Sequence, residues 1–193
     1  RIGRAIASST TARHRRNCHQ HSCTPSPRCA RKKSKRMRRR ALAALLATAA
    51  ALYKVDIHIA GRAPSPKSWE AAAVDEYAKR LRGQLDLRTT WHKSGEQLER
   101  AIAKMEAVLC LSPEGKRVDS EGFSKLLYDS LGKGGSRLCL CIGPAEGFTD
   151  ELRGRASLLS LSDLTLPHQL ARVVLAEQVY RAAEIRRGSG YHK

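Results

Sequence analysis

Residues 138–142, Leu-Cys-Leu-Cys-Ile, form an unbroken apolar run that Gly143-Pro-Ala-Glu-Gly147 closes at once. A half-buried strand would alternate apolar and polar residues, so this run predicts a strand covered on both faces and feeding a tight, glycine-bounded loop. The same grammar recurs along the chain. Val55–Ile59, Leu85–Trp91, Ala107–Leu111 and Leu158–Leu161 read as further strands, each followed by a helical pattern. Strand and helix alternate five times, which predicts an α/β fold: a parallel sheet with helices on both faces.

The helix signals are local and specific. Pro66–Leu81 places Trp69, Ala73, Tyr77 and Leu81 on one face at four-residue spacing. Ser94-Gly-Glu-Gln97 is a capping box opening a helix to about Met105, and a further helix spans Asp119–Leu131. Thr149-Asp-Glu-Leu152 pairs a capping hydroxyl with two carboxylates at the positive end of a helix dipole. His168–Arg187 is the longest helix, with Pro167 suited to its first turn, a Glu177–Arg181 pair and Gly188 as the stop. Its pattern puts Leu170, Val173, Val174, Ala176, Tyr180 and Ala183 on the apolar side, and Arg172, Glu177, Arg181 and Glu184 opposite.

Parallel sheets bind ligands beyond the carboxyl ends of their strands. Three loops qualify: Ser112-Pro-Glu-Gly115 after Leu111, Gly143–Gly147 after Ile142, and Ser162–Leu166 after Leu161. Leucines in these segments are also ordinary core material. No G-x-G-x-x-G follows a strand, and Gly132-Lys133 is followed by Gly134 instead of Ser or Thr, so neither a dinucleotide fingerprint nor a P-loop is present.

The combination Ile142-Gly143, Glu146-Gly147, Leu164-Thr-Leu-Pro-His-Gln169, Arg172-Val-Val174, Glu177-Gln-Val-Tyr-Arg181 and Tyr191-His-Lys193 closely resembles the RlmH-type large-subunit rRNA pseudouridine methyltransferases. The likeness extends back to about Lys54. It implies a SPOUT-type fold with a C-terminal trefoil knot, a homodimer, S-adenosylmethionine as methyl donor and N3 of a pseudouridine in ribosomal RNA as acceptor. Onto this chain it carries a cofactor-binding set of Leu111, Gly143, Leu161, Ser162, Asp163, Leu164, Thr165 and Leu166. His168, Arg172, Tyr191 and His192 are the catalytic candidates, because N3 must lose a proton and a base or a flanking cation assists that loss. His168 has a competing reading as a helix cap. The tail Tyr191-His192-Lys193 is expected to fold over the cleft. Relatives of this type carry a second glycine where this chain has Pro144, which removes an amide donor from the cofactor loop. A different class of function stays open: an inactive RNA-binding or ribosome-assembly protein on the same fold.

The net charge of +18 is unevenly placed. Residues 1–55 hold 15 Lys or Arg and no acid, leaving 21 basic and 18 acidic residues after them, so the body is only mildly basic. Residues 1–52, rich in Arg, Ser, Thr and Ala, predict an organelle transit peptide, chloroplast first and mitochondrion as the alternative, ahead of an enzyme domain at 53–193. The rival is an RNA-binding arm built on Arg31–Arg40. The sequence begins with Arg1, which predicts a reading frame that starts further upstream. Ala41–Leu52 is apolar but shorter than the ~20 residues that span a bilayer, and no membrane partner is expected. Cys110, Cys139 and Cys141 sit in strand runs as small buried hydrophobes. Cys18, Cys23 and Cys29 lack paired spacing, so no metal is expected.

Overall fold

The computed structural model describes residues 52–193. The transit-peptide, RNA-arm, apolar-run and N-terminal cysteine readings concern segments up to residue 52 and, Leu52 apart, lie outside the described residues. Five strands and five helices alternate: β1 (Tyr53–Ala60), α1 (Trp69–Arg80), β2 (Leu85–His92), α2 (Gly95–Ile102), β3 (Val108–Arg117), α3 (Ser120–Lys133), β4 (Arg137–Ile142), α4 (Asp150–Arg155), β5 (Ser157–Ser160) and α5 (His168–Arg187). The strands form one parallel sheet in the order β2-β1-β4-β3-β5.

Side chains alternate through this sheet and build two cores. Val55, Ile57, Ile59, Leu138 and Leu140 face α1, α3 and α5, while Cys110, Cys139 and Cys141 face α2 and α4. Helices therefore cover both faces, the expected α/β architecture. Burial of both sides explains why β4 reads as an apolar run: Leu138 to Ile142 are all buried.

The caps act as their residue types require. Ser94 accepts from the Gln97 amide, Asp119 from Gly122 and Thr149 from Leu152. Gln97 in return accepts from the Lys93 amide, closing the capping box one residue early. Pro167 is the N-cap of α5, not its first turn, and supplies no side-chain bond. Gly188 ends α5 at φ 68°, a left-handed position that favours glycine.

Two expectations are corrected. Ser112–Gly115 is not a plain loop: β3 continues to Arg117, and Leu111 and Lys116 both pair with Leu159, so residues 112–115 bulge between them. The second correction concerns the α5 face. Its core side is Ala171, Leu175, Ala176, Val179, Ala182 and Ala183, with Arg172 and Glu184 also buried, whereas Leu170 is exposed. The sequence pattern places Leu170 inside and Arg172 and Glu184 outside, the reverse of what the fold does with them.

Candidate functional site

Gly143, at the end of β4, leads into a turn in which the Gly147 amide donates to the Pro144 carbonyl at 3.0 Å, with Gly147 at φ 88°. On one side of this turn lies a cavity of about 260 Å³, beyond the carboxyl ends of β3, β4 and β5. Leu111, Gly143, Leu161, Ser162, Leu164, Thr165 and Leu166 all line it. Of the eight cofactor residues expected from the sequence, Asp163 alone is missing from the lining; its carboxylate pairs with Arg117. Leu164 is 75% exposed, at the lip.

The walls are apolar with a few placed hydroxyls. Ser162 Oγ accepts from the Leu164 amide at 3.0 Å and Ser160 Oγ donates to the Ser162 carbonyl at 3.0 Å, which fixes the segment after β5. Such a pocket, apolar with backbone polar groups along one edge, suits a purine with a short polar extension. Sequence reasoning missed Phe148, Arg153, Ser160 and Ala171 as lining residues. Phe148 had one available signal, a single aromatic between Gly147 and Thr149. Its ring lies against Gly143, where an added Cβ would meet Phe148 Cζ at 2.8 Å.

A larger cavity of about 850 Å³ lies on the other side of the same turn, between α2 and α4. Pro144, Ala145, Gly147 and His168 line both cavities. His168 is the first residue of α5 and makes no cap, so its imidazole is available to the space it faces. Glu96 and Arg100 pair with each other in this second cavity, and Arg155 donates to the carbonyls of Ile102 and Met105.

The profile of the family described as "Predicted SPOUT methyltransferase" matches residues 53–192. This chain belongs to that family. It is 42% identical over 127 residues to a protein named ribosomal RNA large subunit methyltransferase H from Protochlamydia amoebophila, covering 66% of this chain and 91% of the relative. A protein of the same name from Parasynechococcus marenigrum is 41% identical over 131 residues, 66% of this chain and 89% of the relative. One from Streptococcus mutans is 47% identical over 102 residues, 52% of this chain and 64% of the relative.

In this SPOUT family member the other catalytic candidates stand apart from the smaller cavity. Arg172 is 4% exposed, with its guanidinium carbon 5.2 Å from the Trp91 ring centroid. Among the described residues its Nε and Nη2 have no hydrogen-bond partner, and neither does the buried Gln169 Oε1, one turn earlier on α5. Burial holds its pKa below the ordinary arginine value, against the attraction of Glu70 and Asp75. Tyr191 packs edge-on against Tyr180 at 4.9 Å, beneath Arg181, and donates to Glu177 Oε1 at 3.2 Å. His192 meets Arg181 at 3.5 Å and Glu121 at 3.7 Å. These contacts lie at least nine residues along α5 from His168, about 14 Å of helix rise. The tail does not cover the cavity of its own chain, contrary to expectation, because the α5 aromatics and Glu177 hold it.

A pair of imidazoles occupies the α2 side of the sheet. His58 Nδ1 and His92 Nε2 are 2.8 Å apart with rings stacked at 5.0 Å, and burial lowers the pKa of both. Among the described residues, no group of three or more His, Cys, Asp or Glu is placed to hold a metal, and no helix is long and apolar enough to cross a membrane.

Proposed function

We propose that this chain is an S-adenosylmethionine-dependent methyltransferase acting on N3 of a pseudouridine in large-subunit ribosomal RNA. One observation carries the reading: three segments far apart in sequence, at Leu111, Gly143 and Leu161–Leu166, form a single apolar cavity at the ends of adjacent parallel strands. The relatives' shared name supplies the substrate class.

Bound there, S-adenosylmethionine supplies an electrophilic methyl group. The leucines exclude water from the cavity, and the backbone after β5, held by Ser160 and Ser162, presents amide and carbonyl edges to an adenine. His168 stands at the wall shared by both cavities and would be the group to take the N3 proton. Arg172, buried with two nitrogens that have no acceptor among the described residues, is a cation that an RNA phosphate could meet. The reading includes a homodimer. A second copy can bring Tyr191 and His192 to a cavity their own chain leaves uncovered, and exposed Trp69 and Leu170 offer it apolar contact. The trefoil-knotted path of the SPOUT fold and delivery to a chloroplast by residues 1–52 belong to the same proposal.

Titration calorimetry with S-adenosylmethionine, followed by methyl transfer to large-subunit RNA lacking the modification, tests the function. Binding without transfer would favour the inactive ribosome-assembly reading; absence of binding would overturn the cavity assignment.

A further inference from the structure

Pro144 cannot donate a backbone hydrogen bond, yet it stands at the start of the cofactor loop. Its ring is seated against the first residue of α2: a Cβ added to Gly95 would lie 2.9 Å from Pro144 Cγ and 3.3 Å from Cδ. The ring therefore occupies the space that a side chain at position 95 would need. Four residues further along α2, Glu99 accepts from the Thr149 amide at 3.0 Å and from the Thr149 hydroxyl at 2.6 Å. Thr149 is the residue that leaves the loop and caps α4. One short helix thus grips the loop at both ends, by a van der Waals seat at Gly95 and two hydrogen bonds at Glu99.

From this geometry we infer that Gly95 and Pro144 are a matched pair of positioning residues, and that α2, none of whose residues lines the cofactor cavity, sets the shape of its loop. The inference rests on the cofactor reading of the smaller cavity. The fixed φ of proline reduces the conformations the loop must lose on binding, and the Gly95 seat keeps that fixed ring in one place. Gly143 packs against the Phe148 ring, a further contact that holds the start of the loop. A side chain at position 95 displaces the Pro144 ring, and through it the wall formed by Pro144, Ala145 and Gly147.

The test is a double-mutant cycle on the full chain, read by calorimetric titration with S-adenosylhomocysteine. Gly95→Ala is expected to weaken binding by about tenfold in the parent, the scale of a one-carbon overpacking. In a Pro144→Gly background the same change should cost less than about twofold, because the ring it strikes is gone. Helix propensity alone would favour alanine at position 95, so any fall in melting temperature reports the clash with the Pro144 ring and should vanish in the Pro144→Gly background. In turnover, Gly95→Ala should raise KM for the methyl donor and leave kcat at saturation unchanged. Glu99→Ala, which removes the second grip at a partly exposed site, should weaken binding about threefold and serves if Gly95→Ala does not fold. Equal losses in both backgrounds, or no loss from any of these variants while the parent binds, would overturn the inference. A parent chain that does not bind S-adenosylhomocysteine overturns the cofactor reading and the inference together.

Discussion

Gly115, in the β3 bulge, lies directly against the backbone of β5. A Cβ built there falls 2.4 Å from the Leu159 carbonyl carbon, 2.5 Å from its nitrogen and 2.7 Å from its Cα. Every neighbour is backbone, so no side chain can rotate away. Reaching an ordinary contact of 3.4 Å requires about 1 Å of separation between the β3 bulge and β5, enough to break a ladder bond. Overpacking of this kind costs ~1–3 kcal/mol and a lost hydrogen bond ~1 kcal/mol, so Gly115→Ala should destabilise the chain by about 3 kcal/mol. With a urea m-value near 2 kcal/mol/M, the unfolding midpoint should fall by about 1.5 M at unchanged slope. The damage should also reach the site, since Leu159 leads within two residues to Leu161 at the cavity wall. Calorimetry should show weaker S-adenosylmethionine binding in the folded variant. A midpoint within about 0.2 M of the parent would refute the claim that a close backbone approach dictates this glycine.

Gly154, in α4 with no atom within 4 Å of its added Cβ, is the opposite case, and Gly154→Ala should stabilise by ~0.5–1 kcal/mol in the same urea assay. Burial lowers the pKa of His58 and His92 below 6.5, so the unfolded chain binds more protons once pH falls through 6.5. Stability should therefore be full above about pH 7 and decline towards about pH 5, and a flat or rising midpoint over that range would exclude the His58–His92 pair as the cause. Glu184, lowered by bonds from Ser189, Gln84 and Arg187, adds its own loss only below pH 4.5, a separate window. A chain beginning at Tyr53 should methylate as the full chain does; a large drop in RNA affinity with a smaller salt slope would restore the RNA-arm reading. Deleting residues 189–193 should leave cofactor binding intact while lowering methyl transfer at least about tenfold, measured by single-turnover transfer to ribosomal substrate.

Local chemistry made most elements legible. Ser94 and Thr149 cap where a hydroxyl precedes a carboxylate-bearing turn, and α5 runs from His168 to Arg187 as its flanking proline and glycine indicate. What could not be read locally was pairing. The order β2-β1-β4-β3-β5 depends on contacts between strands tens of residues apart, and nothing in the apolar run Ala107–Leu111 says that β3 must lie between β4 and β5. The bulge at 112–115 is of the same kind. Ser-Pro-Glu-Gly looks like a loop because each residue favours a turn, yet β5 takes up Lys116 and Arg117 and draws the segment back into the sheet. The residues proposed to hold a cofactor were gathered through resemblance, and seven of the eight line one cavity because strands β3, β4 and β5 end side by side.

The face of α5 is where pattern and structure part, and the disagreement is informative. Charge predicts exposure because an unpaired buried charge is costly, so a reading by composition must place Arg172 and Glu184 outside. Glu184 escapes that rule by being satisfied: Gln84, Arg187 and Ser189 all serve its carboxylate, and its job is to tie the start of the tail to the end of α5. Arg172 is not satisfied. Trp91 covers its face, but two of its nitrogens have no acceptor within the described chain. A guanidinium with two nitrogens unpaired among the described residues, one helical turn from Gln169 whose own oxygen is also unpaired there, has room for something to accept from it. If that something is an anion brought by RNA or by a second copy, Arg172→Met should lower RNA affinity or the dimer fraction while leaving the free body as stable as before or more so. An Arg172→Met chain that loses more than about 1 kcal/mol as a monomer, with RNA binding and assembly unchanged, would show instead that the stack on Trp91 is the whole of its role.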